Sequence, residues 1–191
     1  CQVRDEATGG TRSDFAARLD YQLRMAGCQD IDILIGGSGS SSLGIGGNQL
    51  LERGGLLSVY LAVQYLGYWT ETGQTFAPGH CNSGLRDGYR IAYDALRESL
   101  KKVRPGTRAR DVVTARDFAK YGAGQGMGTD REERPFLLDA NEELAESDVL
   151  TMRVSISPTA LEEIFLAQMI VVTEGGYRLL GEQLPPELLA V

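Results

Sequence analysis

Histidine is all but missing from this chain: His80 is the single example in 191 residues. Imidazole is the commonest metal ligand and the side chain that titrates nearest neutral pH, so chemistry built on several histidines is excluded. Cysteine is sparse as well, with only Cys1, Cys28 and Cys81. No two of them form a C-x-x-C pair, and an odd, scattered set reads as reduced thiols in a cytoplasmic protein. Positive charge is outnumbered, and a net charge of −7 argues against nucleic acid, which needs a concentrated basic face. The longest apolar run, Leu56 to Trp69, is broken by Ser58, Gln64 and Gly67 and falls short of a bilayer span. No secretory signal is visible, and no membrane partner is expected. The chain also lacks an initial methionine. Cys1 as a lipid-anchored residue or as a nucleophile freed by cleavage finds neither a lipobox nor a partner base, so the start reads as a cut in a longer chain.

What is present is an ordinary globular composition, 42% hydrophobic and 24% charged, with enough length for one domain around one core. Ser13 and Asp14 are N-cap candidates for a helix carrying Phe15, Leu19, Leu23 and Ala26, which Gly27 stops. Asp30 to Ile35 alternates, with Ile31, Ile33 and Ile35 on one face of a half-buried strand. Gly36 to Gly47 is a loop by composition. A phosphate cradle is the sharper alternative, but no ordered glycine-rich phosphate motif is there. Leu56 to Val63 and Trp69 to Phe76 form a hairpin through Tyr65-Leu66-Gly67-Tyr68. Asn82 and Ser83 open an amphipathic helix from Leu85 to Val103. Val112, Ala115 and Ala119 mark another. Phe136-Leu137-Leu138 reads as a short apolar strand, followed by an acidic loop. Val149 to Ser157 and Glu163 to Thr173 form a second hairpin, with Tyr177 to Leu180 as a last strand or turn.

The order of elements repeats. Gly10-Thr11-Arg12 and Gly106-Thr107-Arg108 each precede a helix, a glycine-rich irregular segment and two long strands. Two copies of helix plus hairpin predict an α+β fold, a curved antiparallel sheet backed by helices, with repeat one over about 10–80 and repeat two over about 83–181.

Tyr121 to Pro135, Y-G-A-G-Q-G-M-G-T-D-R-E-E-R-P, spaces four glycines at alternate positions, where chain approaches chain or ligand closely. This stretch resembles the G-H-G-I-G…H-E-x-P signature of the pita-bread metallopeptidases, the group of methionine aminopeptidase, Xaa-Pro aminopeptidase, prolidase and creatinase. The resemblance covers about Gly10 to Gly181. Its first hairpin, V-Y-L-A-V-Q-Y-L-G-Y-W-T-E-T-G-Q-T-F, shares Y-x-G-Y and T-F with the family pattern. That register puts Tyr60 and Glu71 where the family has two metal-binding aspartates. Gln125 falls at the first histidine and Glu132 at the second, while Arg153 and Ala167 fall at two glutamate ligands. The early substrate-side histidine has no counterpart near Ser42 and Leu43. The resemblance therefore implies the pita-bread fold without its metal ligands and without a cofactor. A fixed guanidinium at position 153 opposes a two-metal cluster, which needs several carboxylates. The resemblance further implies a homodimer, or a heteromeric complex with a chain that supplies an N-terminal portion, including a helix ahead of those visible here.

Two readings of the vacated site stay open. In one, Arg153 pairs with Glu71, Gln125 satisfies backbone groups, and the site is filled scaffold. In the other, Arg153, Gln125 and Tyr60 form a pocket for a carboxylate or other small anion, with Trp69 as pocket wall. Glu71 and Glu132 are the candidate general bases. His80 and Cys81 are a candidate nucleophilic pair, against which stands the tendency of neighbours on a turn to point apart. The function expected is a non-peptidase subunit that binds a small ligand or supports a partner chain. The alternative is a metal-independent hydrolase acting on a C–N bond of a small amino-acid-like molecule.

Overall fold

The structure, a computed structural model, describes residues 10–40, 42–51, 53–113, 120–139 and 141–191. Helix α1 (Arg12–Met25) starts two or three residues earlier than Ser13 or Asp14 as N-cap would place it. Thr11 is its N-cap, and Asp14 closes a reciprocal capping box onto the Thr11 backbone, so Asp14 works from the third helical position. Gly27 follows the helix with φ +94°, the left-handed stop that glycine tolerates. Strand β1 (Asp30–Gly37) leads through the loop to β2 (Leu57–Tyr65) and β3 (Tyr68–Ala77). The β2–β3 turn has positive φ at both Leu66 and Gly67, a primed turn whose twist matches the strands.

The glycine-rich loop after β1 connects two strands and does not open a helix, which removes the helix N-terminus a phosphate cradle would use. Helix α2 (Ser83–Leu100) is capped by the Asn82 side chain and buries Leu85, Tyr89, Ala92, Tyr93, Leu96 and Leu100, the 3–4 spacing read from sequence. Helix α3 (Ala109–Val112) covers the start of the third expected helix, whose Ala115 and Ala119 lie outside the described residues. Strand β4 (Gly124–Gly126) lies in the glycine stretch, and β5 (Glu133–Phe136) precedes Leu137 and Leu138, which were expected in the strand. The second hairpin is β6 (Val149–Ile156) and β7 (Ile164–Thr173), followed by β8 (Gly176–Leu180) and a short β9 (Leu189–Ala190) that had no sequence signal.

Among the described residues nine strands form one sheet in the order β1-β2-β3-β7-β6-β4-β5, with β8 antiparallel on β7 and the short β9 parallel to β3. This is the curved antiparallel sheet of the pita-bread layout, and the repeat is visible in detail. Thr11 forms an isolated antiparallel bridge with Leu50, and Arg108 forms one with Glu143. The entry to each repeat's helix is thus tied to the chain ahead of a hairpin. The two halves meet at a seam where β3 and β7 pair through Gly73 and Ala167 alone. A Cβ on Gly73 would lie 2.2 Å from the Phe165 ring, so the seam closes only over glycine. Gly124 does the same beside β6, where a Cβ would lie 2.0 Å from the Thr151 carbonyl oxygen.

Alternation along the strands gives the sheet two apolar faces. On one, α1 packs on Ile35, Leu57 and Val59, and α2 packs on Leu150, Met152, Val154, Leu166 and Ile170. The other face carries a smaller cluster of Leu43, Tyr60, Ala62, Phe165 and Ala167. The cross-strand pairs Ala62–Glu71 and Arg153–Ala167 put Glu71 and Arg153 on that second face.

Candidate functional site

The strand register brings together residues far apart in the chain. Glu71 is fully buried in side chain and Arg153 is 11% exposed. Their contact is a bidentate fork, with Arg153 Nε donating to Glu71 Oε1 at 2.6 Å and Nη2 to Oε2 at 2.5 Å. Thr151 Oγ1 donates to Oε1 at 2.9 Å and the Tyr60 hydroxyl to Oε2 at 3.2 Å. An ionised carboxylate offers about four lone-pair sites, and these four donors fill them. Burial alone would lower the Arg153 pKa, but the hydrogen bond and charge of Glu71 outweigh it and hold the guanidinium above its ordinary value. Burial first, and then the charge of Glu71, raises the Tyr60 phenol.

The other sequence candidates divide between the cleft and positions away from it. Gln125 Nε2 donates to the Arg131 carbonyl at 3.1 Å, the backbone-satisfying role. Its Oε1 lies a long 3.5 Å from Arg153 Nη1. Ala167 sits opposite Arg153 in the β6–β7 ladder. Trp69 is half-buried against the Tyr60 cluster, and its backbone N–H donates to the Gly128 carbonyl at 2.7 Å. Glu132 is exposed at the rim. His80 and Cys81 are not brought together with the cleft or with each other. His80 is exposed with Nδ1 3.2 Å from Arg86 Nη2, whereas Cys81 is buried in the main core. Both described cysteines, Cys28 and Cys81, are free thiols.

Several groups that shape the site were not among those candidates. Arg131, on the loop after the glycines, donates from Nη2 to the Tyr60 hydroxyl at 3.0 Å and pairs through Nη1 with Asp32 of β1. Its guanidinium carbon lies 5.9 Å from the Tyr60 ring centroid and 5.8 Å from that of Trp69, within cation–π range. Tyr121 accepts the Leu43 N–H on its hydroxyl at 2.6 Å. A signal for Asp32 was available, because it alternates with the isoleucines of β1 and so faces opposite to them. Leu34, Leu43, Tyr60, Tyr121, Phe165, Arg131, Arg153 and Glu132 line a cleft of about 160 Å³. A larger hollow of about 450 Å³ opens where β3 and β7 splay beyond Gly73, bounded by Tyr68, Met127, Met169 and Leu180. The Met169 thioether there accepts the Glu71 N–H at 3.0 Å.

The model of metallopeptidase family M24 matches residues 2–174. The chain belongs to this family. An uncharacterized peptidase of Bacillus subtilis is 25% identical over 189 residues, covering 91% of this chain and 53% of that protein. A probable dipeptidase, PepE, of Mycobacterium tuberculosis is 26% identical over 192 residues, covering 88% of this chain and 49% of its own. Among solved structures, the Xaa-Pro dipeptidase from Bacillus anthracis superposes with a TM-score of 0.88 at 20% identity, covering 99% of this chain and 56% of that one. Prolidase from Pyrococcus furiosus gives 0.84 at 24% identity, covering 95% and 58%. These likenesses establish the pita-bread fold. The chain spans about half the length of the curated relatives it matches.

Family M24 implies metal, and the donors of this cleft do not fit it. Of the described residues at the family's five ligand positions, Glu71 alone carries a carboxylate, and its acceptor sites are taken by protein donors. Beside it stands a guanidinium that keeps its charge at any working pH. Among the described residues, no group of three or more His, Cys, Asp or Glu side chains could hold a metal ion. No described helix is long and apolar enough to cross a membrane.

Proposed function

We propose that this M24 chain is a metal-independent homologue without dinuclear peptidase activity, and that it acts as a ligand-binding subunit. The observation that carries the reading is the saturation of Glu71 by Arg153, Thr151 and Tyr60. Two divalent ions need several carboxylates to offset their charge and an open position for water. A salt bridge with complete hydrogen bonding supplies neither. Beside the Arg153 end of that salt bridge lies a cleft of about 160 Å³ with aromatic walls, a size suited to a small molecule.

The alternative, metal-independent hydrolysis of a C–N bond, is favoured by one observation: Glu132 lines the same cleft, exposed and with no hydrogen bond among the described residues. Glu71 suits that role less, since its lone pairs already face protein donors. Support of a partner chain is compatible with either reading.

The test is elemental analysis of the natively purified protein, paired with hydrolysis assays on Xaa-Pro dipeptides in the presence of added Mn²⁺. The expected result is no stoichiometric divalent metal and no metal-dependent cleavage. About two ions per chain, with cleavage that chelation abolishes, would overturn the proposal. Turnover of small C–N substrates by chelated protein, lost in Glu132→Gln, would select the alternative.

A further inference from the structure

Two guanidinium groups face the cleft, and they differ in what they are free to do. Arg153 turns its Nε–Nη2 edge onto Glu71, a buried partner that accepts both bonds. Arg131 is paired with Asp32 at the outer end, where both side chains are more than a third exposed. An exposed pair of that kind contributes little and exchanges readily with competing ligands. The Tyr60 and Trp69 rings lie within cation–π range of the Arg131 guanidinium and brace it at the cleft mouth. A planar fork held by aromatic rings, with a weak partner, is arranged to read a carboxylate in two-point fashion.

We propose that Arg131 is the binding residue of a small-monocarboxylate site at the outer end of the cleft. The inference rests on the metal-independent reading above and names the ligand class of that same site. The carboxylate of the ligand takes the guanidinium from Asp32, while an apolar tail lies against Leu34, Leu43 and Phe165. A volume of about 160 Å³ equals roughly five waters' share of liquid, which limits the ligand to a handful of heavy atoms. Glu132 at the rim opposes the anion and favours ligands that keep their charge toward Arg131. The position that reads the anion is thus 131, whereas the Arg153 fork toward Glu71 is not available to it.

The test is calorimetric titration of the full chain with isobutyrate and with its neutral isostere isobutyramide, after chelation and with metal content measured on the same sample. The carboxylate is expected to bind at least about tenfold more tightly than the amide. Arg131→Gln removes that preference, and Arg131→Lys keeps part of it because charge remains while the fork is lost. Asp32→Asn tightens isobutyrate binding about threefold by removing the internal competitor. Circular dichroism melting of each variant separates loss of binding from loss of fold. Equal binding of the two ligands, no binding of either, or weakening by Asp32→Asn overturns the assignment. A metal-loaded sample defeats the metal-independent reading whatever the titration gives. A metal-free sample without the carboxylate preference defeats only the role of Arg131.

Discussion

The two ends of the cleft hold the same pair of groups, an arginine and a carboxylate, in different surroundings. At the inner end Glu71 is 0% and Arg153 11% exposed in side chain, while at the outer end Asp32 is 45% and Arg131 37% exposed. The inner carboxylate has four donors from three residues, and the outer pair shares its arginine with a tyrosine hydroxyl. Desolvation makes the first pair costly to disturb and leaves the second nearly free to rearrange. The difference separates structure from recognition: the inner pair fixes the sheet centre, and the outer pair can respond to a ligand.

Breaking the inner pair gives the largest expected effect. Arg153→Met leaves the Glu71 carboxylate buried without its cation and should cost about 3–5 kcal/mol in urea unfolding. Adding Glu71→Leu to that variant should recover most of the loss, since an apolar pair of similar volume is tolerated where a lone charge is not. If the double variant is no more stable than the single, the inner pair is not the coupled unit described here.

Tyr60→Phe acts on both ends at once, because the hydroxyl donates to Glu71 and accepts from Arg131. A loss of about 1–2 kcal/mol is expected, with a cost near zero indicating that the two ends are not connected through it. A third ion pair, Glu163 with Lys120 at 3.0 Å, is intermediate. Its carboxylate is buried, its cation is 42% exposed, and Glu163 Oε1 has no hydrogen-bond partner among the described residues. Burial raises the Glu163 pKa, with Lys120 and Ser157 opposing. The folded chain therefore binds this proton more readily than the unfolded one, and stability falls as pH rises from about 4.3 through the raised folded value. Melting curves across that window should show wild type losing stability relative to Glu163→Gln as pH rises; parallel curves would contradict the shift. Asp32→Asn should change stability least, by about 0–1 kcal/mol and less at high salt, and a larger loss would erase the contrast between the ends.

Much of this was legible in the sequence. Hydrophobic periodicity located α1, α2 and both hairpins, and the shared Y-x-G-Y and T-F text fixed the register that places Glu71 and Tyr60. The resemblance put Arg153 and Ala167 at two ligand positions, and the β6–β7 register shows that they face each other. The helix start at Thr11 was missed because Thr11, Ser13 and Asp14 could each cap, and the capping box with Asp14 decides among them. Strand β9 is two residues pairing parallel to β3, too short for any periodicity. Arg131 and Asp32 were missed for another reason. They are 99 residues apart, and their meeting depends on how the loop after β4 folds back over β1. Local pattern carries no information on that.

The most direct measurement is thermal unfolding of the full chain with increasing Mn²⁺. A ligand that binds only the folded state raises the midpoint with its concentration. With Arg153 bound to a saturated Glu71, the account predicts a midpoint independent of Mn²⁺. A saturable rise, reversed by chelation and abolished by Glu71→Gln, would show that the inner pair opens to admit metal and would contradict it.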